Sequence, residues 1–366
     1  MSFTNPYPPD YGGVIDVFYK IKALQAVGVK IILHIFKYDR KPSPELLNYC
    51  ESVYYYTRKT GMLSQFSFLP YITKSRELKE LLSNLCKDEY PILFEGLHTC
   101  FYLDHPSLKN RQKLVRMHNI EHEYYLSLSR ATMNIFNSVF FRLESLKLRQ
   151  FEKVLMHANH ILAISQTDSS YLDRKFGKTT LISAFHSNEE VSSLVGSGKF
   201  ILMHGNMKVE ENITAVLHCI NNIFNQIDFP VVIAGKDPSV SIKEVISQHP
   251  NIVLVENPDD SEMDRLQHEA HIHLCYTFQS SGLKLKLLNS LYKGRHVVAN
   301  PTMTDGSGLS ELTYIGVTDK DIVNKIKDLI AKPFLIEDVL NRKLVLQRYD
   351  NQVNAEKILS ILNTLD

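Results

Sequence analysis

Two lysines lie close to the start of a predicted helix, in the segment Ser281-Gly282-Leu283-Lys284-Leu285-Lys286-Leu287-Leu288-Asn289. The segment follows a buried strand-like run and continues into a helical pattern. Because the N-terminal end of a helix carries the positive end of the helix dipole, cations are disfavoured there unless an anion is bound. Lys284 and Lys286 therefore predict a phosphate site, with a solvated pair of lysines as the alternative interpretation.

A glycine-rich turn, Thr304-Asp305-Gly306-Ser307-Gly308-Leu309, follows the next strand-like run at 296–299. In a parallel sheet, the turns after consecutive strands meet at the carboxyl edge, where such sheets bind ligands. We therefore expect Gly306, Ser307, Gly308 and Leu309 to complete a diphosphate clamp with the two lysines.

A second glycine turn, Pro8-Pro9-Asp10-Tyr11-Gly12-Gly13, precedes a helical pattern near the beginning of the chain. The free backbone N–H groups at a helix N-terminus form an anion site. Gly12 and Gly13 are therefore candidate phosphate contacts, although a glycine pair before a helix is as often an ordinary turn.

Polar residues also follow two neighbouring strand-like runs in the first half. One run ends in Glu95-Gly96-Leu97-His98 and the next in Arg116-Met117-His118-Asn119-Ile120-Glu121. Their concentration at strand ends indicates an active-site wall. The histidines and glutamates around residue 120 lack the HExxH spacing of a zinc site, so we expect no metal.

The second half of the chain has the elements needed to position these residues. From residue 200 onward, short apolar runs alternate with helical patterns, which is typical of a doubly wound parallel sheet. The predicted strands are 200–203, 231–234, 252–255, 272–276 and 296–299. The predicted helices are about 210–224, 240–248, 261–269 and 283–292.

The first half also contains strand-like runs and a helical pattern, but they alternate less regularly. Strands are predicted at 29–36, 92–95, 114–118 and 161–165, and a helix after Gly13. The fold class is therefore α/β, with two Rossmann-like domains facing a cleft. We predict an N-terminal domain at 1–185, a C-terminal domain at 186–340 and a helical extension at 341–366 that packs back across the first domain.

Composition limits the function classes. A length of 366 residues suits two α/β domains. The 41 basic and 40 acidic residues nearly cancel, which gives no reason to expect a nucleic-acid partner. Five cysteines without a CxxC pair favour a reducing cytoplasm, and no apolar stretch approaches the ~18 residues needed to span a bilayer.

A helical stretch at about 134–158 combines basic and apolar side chains. Lys147, Arg149 and Lys153 lie beside Phe140 and Phe141. One interpretation is a domain helix with a solvated basic face. The other is an interfacial helix that touches anionic lipid, which would place the protein at the inner face of the membrane.

Taken in order, these motifs resemble the retaining GT-B glycosyltransferases of the family 4 type, including relatives from bacterial surface-polysaccharide clusters. Besides the segments already described, the similarity includes Ile164-Ser165, His204-Gly205-Asn206 and Val232-Ile233-Ala234-Gly235-Lys236. It covers most of the chain.

The resemblance implies a nucleotide diphosphate-sugar donor on the C-terminal domain and a saccharide or lipid-linked saccharide acceptor on the N-terminal domain. It places Gly12, Gly13, Lys284, Lys286 and the Gly306–Leu309 turn near the donor phosphates. It places His98, the candidate catalytic residue, near the reacting sugar. On the acceptor side we predict the four residues Arg116, His118, Asn119 and Glu121. The expected reaction transfers a hexose with retention and uses neither a cofactor nor a metal ion, and we expect the chain to contain no Asp-x-Asp metal motif.

The chain departs from the family pattern at three places. Asn289 replaces the glutamate that commonly binds the donor ribose. Asn206 replaces the usual basic residue after the first strand of the C-terminal domain, with Lys208 as a substitute. Only Met1–Asn5 precedes the proline turn, so the first strand is short. Two alternative functions therefore stay open: a non-catalytic nucleotide-sugar-binding protein and a nucleotide-sugar 2-epimerase. The oligomeric state is also open.

Overall fold

The computed structural model describes residues 1–37, 40–61, 64, 67–132, 134–279 and 285–364. They form two compact units. The first unit contains the described residues up to Ser187 and those from Arg348 onward, and the second contains the described residues from Asn188 to Gln347.

The first unit contains six parallel strands in two sheets. Strands β1 (Ile32–Lys37) and β2 (Ser52–Thr57) pair with each other. The other sheet has the order β3 (Ile92–Glu95), β4 (Lys113–Met117), β5 (His160–Ala163) and β6 (Thr179–Leu181). The central strand β4 is buried at every position, as expected of a parallel strand covered on both faces.

The first two residues connect these sheets. The Ser2 N–H donates to the His34 carbonyl oxygen at 2.7 Å, and the Phe36 N–H donates to the Ser2 carbonyl oxygen at 3.3 Å. On the other side, the Met1 ammonium donates to the Leu93 carbonyl oxygen at 2.6 Å, and the Glu95 N–H donates to the Met1 carbonyl oxygen at 3.1 Å. Met1 and Ser2 therefore occupy a strand position between β1 and β3.

Six helices of the first unit precede the second unit. They are α1 (Gly12–Ala26), α2 (Tyr71–Lys74), α3 (Lys79–Leu85), α4 (Glu121–Ala131), α5 (Ile135–Phe151) and α6 (Gln166–Phe176). Helix α6 has clear end signals. The Ser165 side chain caps its first turn by accepting from the Asp168 N–H, and Gly177 ends it in the left-handed conformation.

The second unit is a six-stranded parallel sheet with helices between its strands. The strands are β7 (Ile201–Asn206), β8 (Val231–Lys236), β9 (Ile252–Glu256), β10 (Ile272–Cys275), β11 (His296–Ala299) and β12 (Tyr314–Ile315). Their order is β12-β11-β10-β7-β8-β9. The chain therefore reverses direction across the sheet between β7 and β10, which is the topological switch point of a doubly wound fold.

The helices of this unit are α7 (Glu210–Asn222), α8 (Val240–Ile246), α9 (Asp260–Glu269), α10 (Leu285–Lys293), α11 (Pro301–Thr304), α12 (Asp319–Ile330) and α13 (Ile336–Leu346). The last helix, α14 (Asn351–Thr364), belongs to the first unit. Its Ala355 and Ile358 share a core cluster with Ala23 and Leu24 of α1. The prediction that the C-terminal helix returns to the first domain is therefore confirmed.

All nine predicted strands are present with small shifts at their ends. Strands β2, β6 and β12 were not predicted, because they are short or half-exposed and lack a long apolar run. The predicted helix at 134–158 is α5 followed by a 3-10 turn at Glu152–His157. Among the described residues, no helix is both long enough and apolar enough to cross a membrane.

Candidate functional site

Four buried charged side chains form a network below the carboxyl ends of β3 and β4. They are Asp16 and Lys20 of α1, Glu95 of β3 and Arg116 of β4, each at most 3% exposed. Lys20 Nζ lies 3.0 Å from Asp16 Oδ2 and 2.8 Å from Glu95 Oε1. Arg116 Nη2 lies 2.8 Å from Asp16 Oδ1. Two cations thus neutralise two carboxylates inside the unit.

Arg116 does not line an acceptor surface, and that prediction is corrected. Its side chain is fully buried, and its guanidinium also donates to the carbonyl oxygens of Ile182 at 2.5 Å and Ser183 at 3.0 Å. Asp16 Oδ1 in turn accepts from the Phe185 N–H at 2.9 Å. Arg116 therefore fastens α1 and the chain after β6 to the sheet.

These contacts determine the charge states of the two carboxylates. Burial would raise the pKa of Asp16, but Arg116 and Lys20 hold it well below its usual range. Burial also acts to raise the pKa of Glu95, and the Lys20 charge and the His118 hydrogen bond lower it below its usual value. Both groups are carboxylates at neutral pH.

His118 connects this network to the surface. Its Nε2 lies 3.0 Å from Glu95 Oε2, and its side chain is 11% exposed. The Phe3 ring packs against the His118 ring at 5.4 Å and against the His98 ring at 5.6 Å between centroids. A Cβ on Gly13 would lie 3.0 Å from Phe3 Cζ, so glycine allows the start of α1 to approach this ring. The structure thus brings Gly13, His98 and His118 together around Phe3.

His98 is held by the turn that follows β3. Gly96 has a φ of 69°, which favours glycine, and a Cβ there would lie 2.9 Å from His98 Nδ1. The same Nδ1 lies 3.6 Å from Glu121 Oε1. Burial and the nearby Arg76 charge lower the pKa of His98 well below its usual value, so the imidazole is neutral.

Glu121 begins α4 and has an unusual charge state. Burial raises its pKa to about 8, although the Arg76 charge opposes the shift. At neutral pH its carboxyl group therefore holds a proton and can donate a hydrogen bond. Asn119, the fourth predicted acceptor-side residue, lies half-buried in the loop between β4 and α4. Helix α1 begins at Gly12, and its N-cap residue Tyr11 makes no side-chain cap bond.

Asp16, Glu95 and His118 offer ligand atoms that all lie within 4.8 Å of one another, a spacing that a metal ion could use. The Lys20 ammonium already lies between the two carboxylates. A divalent cation would have to displace it or add charge beside it. The geometry thus assigns the counterion role in this cluster to Lys20.

In the second unit, Lys286 lies at the switch point of the sheet. Its Nζ donates to Asn212 Oδ1 at 2.7 Å and would lie 3.5 Å from a Cβ on Gly205, near the end of β7. Burial lowers the pKa of Lys286, and the neighbouring Glu211 opposes the shift. Among the described residues this ammonium forms no ion pair with a carboxylate, so its partner is a neutral amide.

Asn212 orients the lysine. Its Nδ2 donates to the Asn206 carbonyl oxygen at 2.7 Å, so its Oδ1 must point towards Lys286. Glycine at 205 leaves room for both groups, since a Cβ there would lie 3.4 Å from Asn212 Cγ. The end of β7, the first turn of α7 and the first turn of α10 are therefore tied together around one ammonium group.

A second set of bonds joins the ends of three neighbouring strands. The Thr277 hydroxyl, just after β10, donates to Glu211 of α7. The Asn300 side chain, just after β11, donates to the Thr277 carbonyl oxygen at 2.7 Å. The carboxyl edge around β7, β10 and β11 is thus a fixed polar wall beside Lys286.

The remaining predicted donor residues differ in their surroundings. Lys208 is exposed and pairs with Asp237 at 2.9 Å. Asn206 ends β7, and its Oδ1 accepts from the Lys208 N–H at 3.0 Å. Asn289 lies three residues after Lys286 on α10, and its Oδ1 accepts from Asn188 at 2.8 Å. Lys284 lies outside the described residues.

The predicted glycine turn is present, but its backbone donors are partly used. Gly306 and Gly308 have φ values of 66° and 70°. The Ser307 N–H donates to the Thr304 carbonyl oxygen at 3.1 Å, and the Leu309 N–H donates to Ser307 Oγ at 3.1 Å. The Ser307 and Leu309 N–H groups would have to break these internal hydrogen bonds before they could donate to a phosphate.

Asp319-Lys320-Asp321 has Asp-x-Asp spacing, so the expectation that the chain contains no such motif is wrong. Asp321 forms the capping box of α12 with Thr318, and Asp319 Oδ1 lies 3.0 Å from His218 Nε2. Asp321 thus has its partner in this helix turn, and Asp319 has its partner on α7.

Sequence reasoning missed four residues that shape these sites: Phe3, Asp16, Lys20 and Asn212. Asp16 and Lys20 carry a detectable signal, because they are charged residues four positions apart among the apolar positions of α1. Asn212 has no comparable signal. Its role depends on the approach of α10 to α7.

Replacing Arg116 tests the buried network. We expect Arg116→Met to lower the free energy of unfolding by about 3–5 kcal/mol, because Asp16 keeps its charge but loses one of its two cations. Chemical denaturation measures the loss. Arg174→Met is the matched control, since Arg174 is exposed and binds only within α6. Equal effects of the two substitutions would contradict the assigned role.

Glu121 predicts a pH dependence of stability. Its pKa of about 8 in the folded protein is above the ordinary value, so its stabilising contribution is full at acidic pH and is lost as pH rises to about 8. We expect Glu121→Gln, which cannot ionise, to gain stability relative to the parent between about pH 5 and pH 8.5. Thermal midpoints at both pH values measure this gain. The exposed Glu123→Gln control should show no such trend, and a pH-independent difference for Glu121→Gln would refute the shift.

Comparison with known proteins adds one relative in sequence. No protein-family model matches the chain. An uncharacterized 44.6 kDa protein in the cps region of Klebsiella pneumoniae is 24% identical over 337 residues, which cover 87% of this chain and 86% of that protein.

Solved structures match the fold over most of the chain. A glycosyltransferase from Rickettsia africae matches with a TM-score of 0.63 at 14% identity, over 96% of this chain and 95% of that chain. Anabaena HepE in complex with UDP and glucose matches with a TM-score of 0.63 at 13% identity, over 99% and 98%. A TarM variant from S. aureus matches with a TM-score of 0.54 at 16% identity, over 78% of this chain and 58% of TarM. The chain therefore has the GT-B fold, as its motif order predicted.

Proposed function

We propose that the protein is a glycosyltransferase that moves a hexose from a nucleotide diphosphate-sugar to a saccharide or lipid-linked saccharide acceptor, with retention of configuration. The nucleotide sugar is a substrate, and the reaction needs neither a cofactor nor a metal ion. We place the reaction in the cytoplasm, as part of polysaccharide biosynthesis.

The observation that carries this proposal is the position of Lys286. Its half-buried ammonium lies at the switch point of a parallel sheet and is held by the neutral Asn212 amide. Ligands of doubly wound folds bind at this point. A cation without a carboxylate partner in a low-dielectric site is suited to a phosphate, and it would stabilise the charge that develops on the leaving diphosphate.

The first unit supplies groups suited to the sugar and the acceptor. Neutral His98 can orient a hydroxyl group, and protonated Glu121 can donate a hydrogen bond. His118 is oriented by its bond to Glu95. We assign sugar positioning to His98 and acceptor contacts to His118 and Asn119. Glu121, whose side chain is 2% exposed and lies 3.6 Å from His98 Nδ1, is assigned to positioning His98 in place of the predicted acceptor contact. Gly12 and Gly13 remain candidate phosphate contacts.

The complexes of similar structures favour a uridine nucleotide. The HepE and TarM structures contain UDP, and Arabidopsis UGT89C1, which has a similar fold, is complexed with UDP-L-rhamnose. We therefore propose a UDP-hexose as donor. The cps-region relative is consistent with a saccharide acceptor.

Two other functions use the same architecture. A non-catalytic nucleotide-sugar-binding protein would bind the donor without turnover. A nucleotide-sugar 2-epimerase would change the configuration at C2 of the sugar without transferring the sugar to an acceptor. Release of nucleoside diphosphate that depends on an added acceptor distinguishes transfer from both, and the anomeric configuration of the product tests retention.

The donor site is tested by thermal stabilisation with UDP-, GDP-, ADP- and CMP-sugars. A ligand at ~100 times its dissociation constant should stabilise the folded protein by about 2.7 kcal/mol. We expect a UDP-sugar to raise the midpoint and Lys286→Ala to lose that rise. Lys243→Ala is the control, because Lys243 belongs to the same unit and pairs with Glu256 at 2.6 Å.

The two variants separate the outcomes of this experiment. If the nucleotide sugar raises the thermal midpoint of Lys286→Ala as much as that of the parent, the donor site does not include Lys286. No shift with any of the four nucleotide classes would overturn the donor assignment itself.

We also propose that α5 binds an anionic membrane surface, which is the expected peripheral contact. Its core-facing side carries Glu144, Ser145 and Leu148. The opposite face is exposed and apolar, with the five residues Ile135, Phe136, Val139, Leu143 and Leu146. Arg142 and Arg149 are exposed at one edge of this apolar face. An apolar face flanked by arginines fits the boundary between acyl chains and anionic headgroups.

Membrane binding is tested by co-sedimentation with vesicles that contain phosphatidylglycerol or only phosphatidylcholine. We expect binding to the anionic vesicles, and a loss of about tenfold or more for Phe136→Asp because the ring can no longer be buried. Leu340→Asp, an exposed apolar residue of α13, is the control. Binding that is equal for Phe136→Asp and the parent would contradict the proposal. If the parent protein does not bind vesicles but self-associates, and Phe136→Asp abolishes the self-association, the apolar face of α5 would be assigned to contact with a second copy of the chain.

A further inference from the structure

Two arginines of the first unit lie near the turn that carries His98. Arg58 directly follows β2, and Arg76 comes just after α2. The Thr73 hydroxyl of α2 donates to the Leu97 carbonyl oxygen at 3.4 Å. The segment that leads into Arg76 is therefore fastened to the residue before His98.

Arg76 is a buried cation whose partners are neutral. Its side chain is 4% exposed, and its guanidinium donates to the carbonyl oxygens of Ile72 and of Phe3, the latter at 2.8 Å. Within the described part of the chain, it forms no ion pair with a carboxylate and its Nε has no hydrogen-bond partner. Carbonyl groups do not cancel a buried positive charge, so an anion placed nearby would be stabilised by it.

Arg58 provides the more accessible charge of the pair. Its Nε and Nη2 donate to Ser75 Oγ at 3.2 and 2.8 Å, and its guanidinium carbon lies 5.7 Å from the centre of the Tyr71 ring. These contacts hold the half-exposed guanidinium beside the backbone that leads into Arg76. Burial and then the Arg58 charge lower the pKa of Arg76, so the two like charges act on each other. An anion beside them would relieve this repulsion.

The charges that act on His98 are positive. Burial lowers the pKa of His98, and the charges of Arg76, His118 and Arg58 lower it further. The Glu121 carboxyl group lies 3.6 Å from His98 Nδ1, but burial raises its pKa to about 8, so it is protonated at neutral pH. An anion beside His98 would therefore meet cations without opposition from a Glu121 carboxylate.

We propose that Arg58, Arg76 and His98 form an anion site that takes a carboxylate or phosphate group of the acceptor. The inference rests on the proposed function, which places the acceptor on the first unit. Arg58 contacts the anion, and Arg76 stabilises it from the buried layer. His98, whose side chain is 24% exposed, orients the neighbouring sugar hydroxyl. The acceptor is thus an acidic saccharide or a saccharide phosphate.

The proposal gives each substrate its own cations. Lys286 of the second unit is assigned to the donor diphosphate, and the two arginines of the first unit are assigned to the acceptor anion. Removing the charge of Arg58 should therefore weaken anion binding near His98 and leave donor binding unchanged.

The site is tested with inorganic phosphate on the full-length protein at constant ionic strength. Binding is followed by the NMR signal of the His98 ring, which is assigned by its loss in His98→Gln. We expect a saturable shift, because a bound anion changes the field at the ring. We expect Arg58→Met to raise the phosphate dissociation constant by about tenfold or more, since a charge-assisted hydrogen bond is lost. Arg58→Lys keeps the charge and should restore part of the affinity.

Arg130→Met is the matched control, because Arg130 is exposed on α4 of the same unit. Its phosphate dissociation constant should equal that of the parent. A thermal midpoint of Arg58→Met close to that of the parent excludes unfolding as the cause of weaker binding. The absence of a saturable His98 shift, or equal dissociation constants for Arg58→Met and the parent, would overturn the proposal.

Two further measurements identify the source of the anion. Tighter binding of glucuronate than of phosphate indicates a uronic acid in the acceptor, and the reverse order indicates a phosphorylated acceptor. If Arg58→Met loses the thermal stabilisation by a UDP-sugar, the anion is the donor diphosphate and the acceptor assignment is overturned. If no nucleotide sugar binds but phosphate still shifts the His98 signal in an Arg58-dependent manner, the proposed donor site fails and the anion site stands.

Discussion

The first unit depends on the pairing of two buried cations with two buried carboxylates. Lys20 and Arg116 hold Asp16 and Glu95 at distances of 2.8 to 3.0 Å in a region that excludes water. Removing any one of them would leave an unpaired charge, which is far more costly than removing an exposed pair. Because the four residues come from α1, β3 and β4, their mutual neutrality fixes the angle at which α1 meets the sheet. Glu95 orients His118 through their hydrogen bond. The position of His118 in the candidate site therefore also depends on the buried ion network.

The second unit orients its candidate site by different means. Lys286 is held by a neutral amide, and the amide is held by the backbone at the end of β7. Thr277 and Asn300 extend this polar edge across β10 and β11. The Lys286 ammonium itself bonds to a neutral amide, and the neighbouring Glu211 carboxylate bonds to the Thr277 hydroxyl, so the lysine is positioned without an ion pair. The ammonium therefore keeps its capacity to bind an anion.

Much of the fold follows from the sequence, because buried parallel strands are continuous apolar runs. The runs at 231–234 and 296–299 were identified as strands for this reason, and β8 and β11 are there. Strand β2 was not predicted, because its Ser52–Thr57 sequence is half-exposed and aromatic and lacks a continuous apolar run. Among candidate site residues, His98 and Lys286 were selected from their places after strands, and their roles stay predictions. Arg116 was misassigned, because a sequence shows that an arginine ends a strand but not that α1 delivers Asp16 and Lys20 beneath it.

The buried ion network of the first unit and the Lys286 site of the second unit differ in their capacity to bind a phosphate. In the first unit, each carboxylate already has a cation from the chain, so the network is neutral and closed to a further ion. In the second unit, the Lys286 ammonium pays a desolvation cost that its neutral partner does not fully offset, as its lowered pKa indicates. A bound diphosphate would offset that cost at the point where the sheet reverses direction. A charged group without an ion pair at a ligand-binding edge is therefore a stronger argument for a donor site than the number of charged residues. A network whose charges are already paired would gain little free energy from binding a ligand.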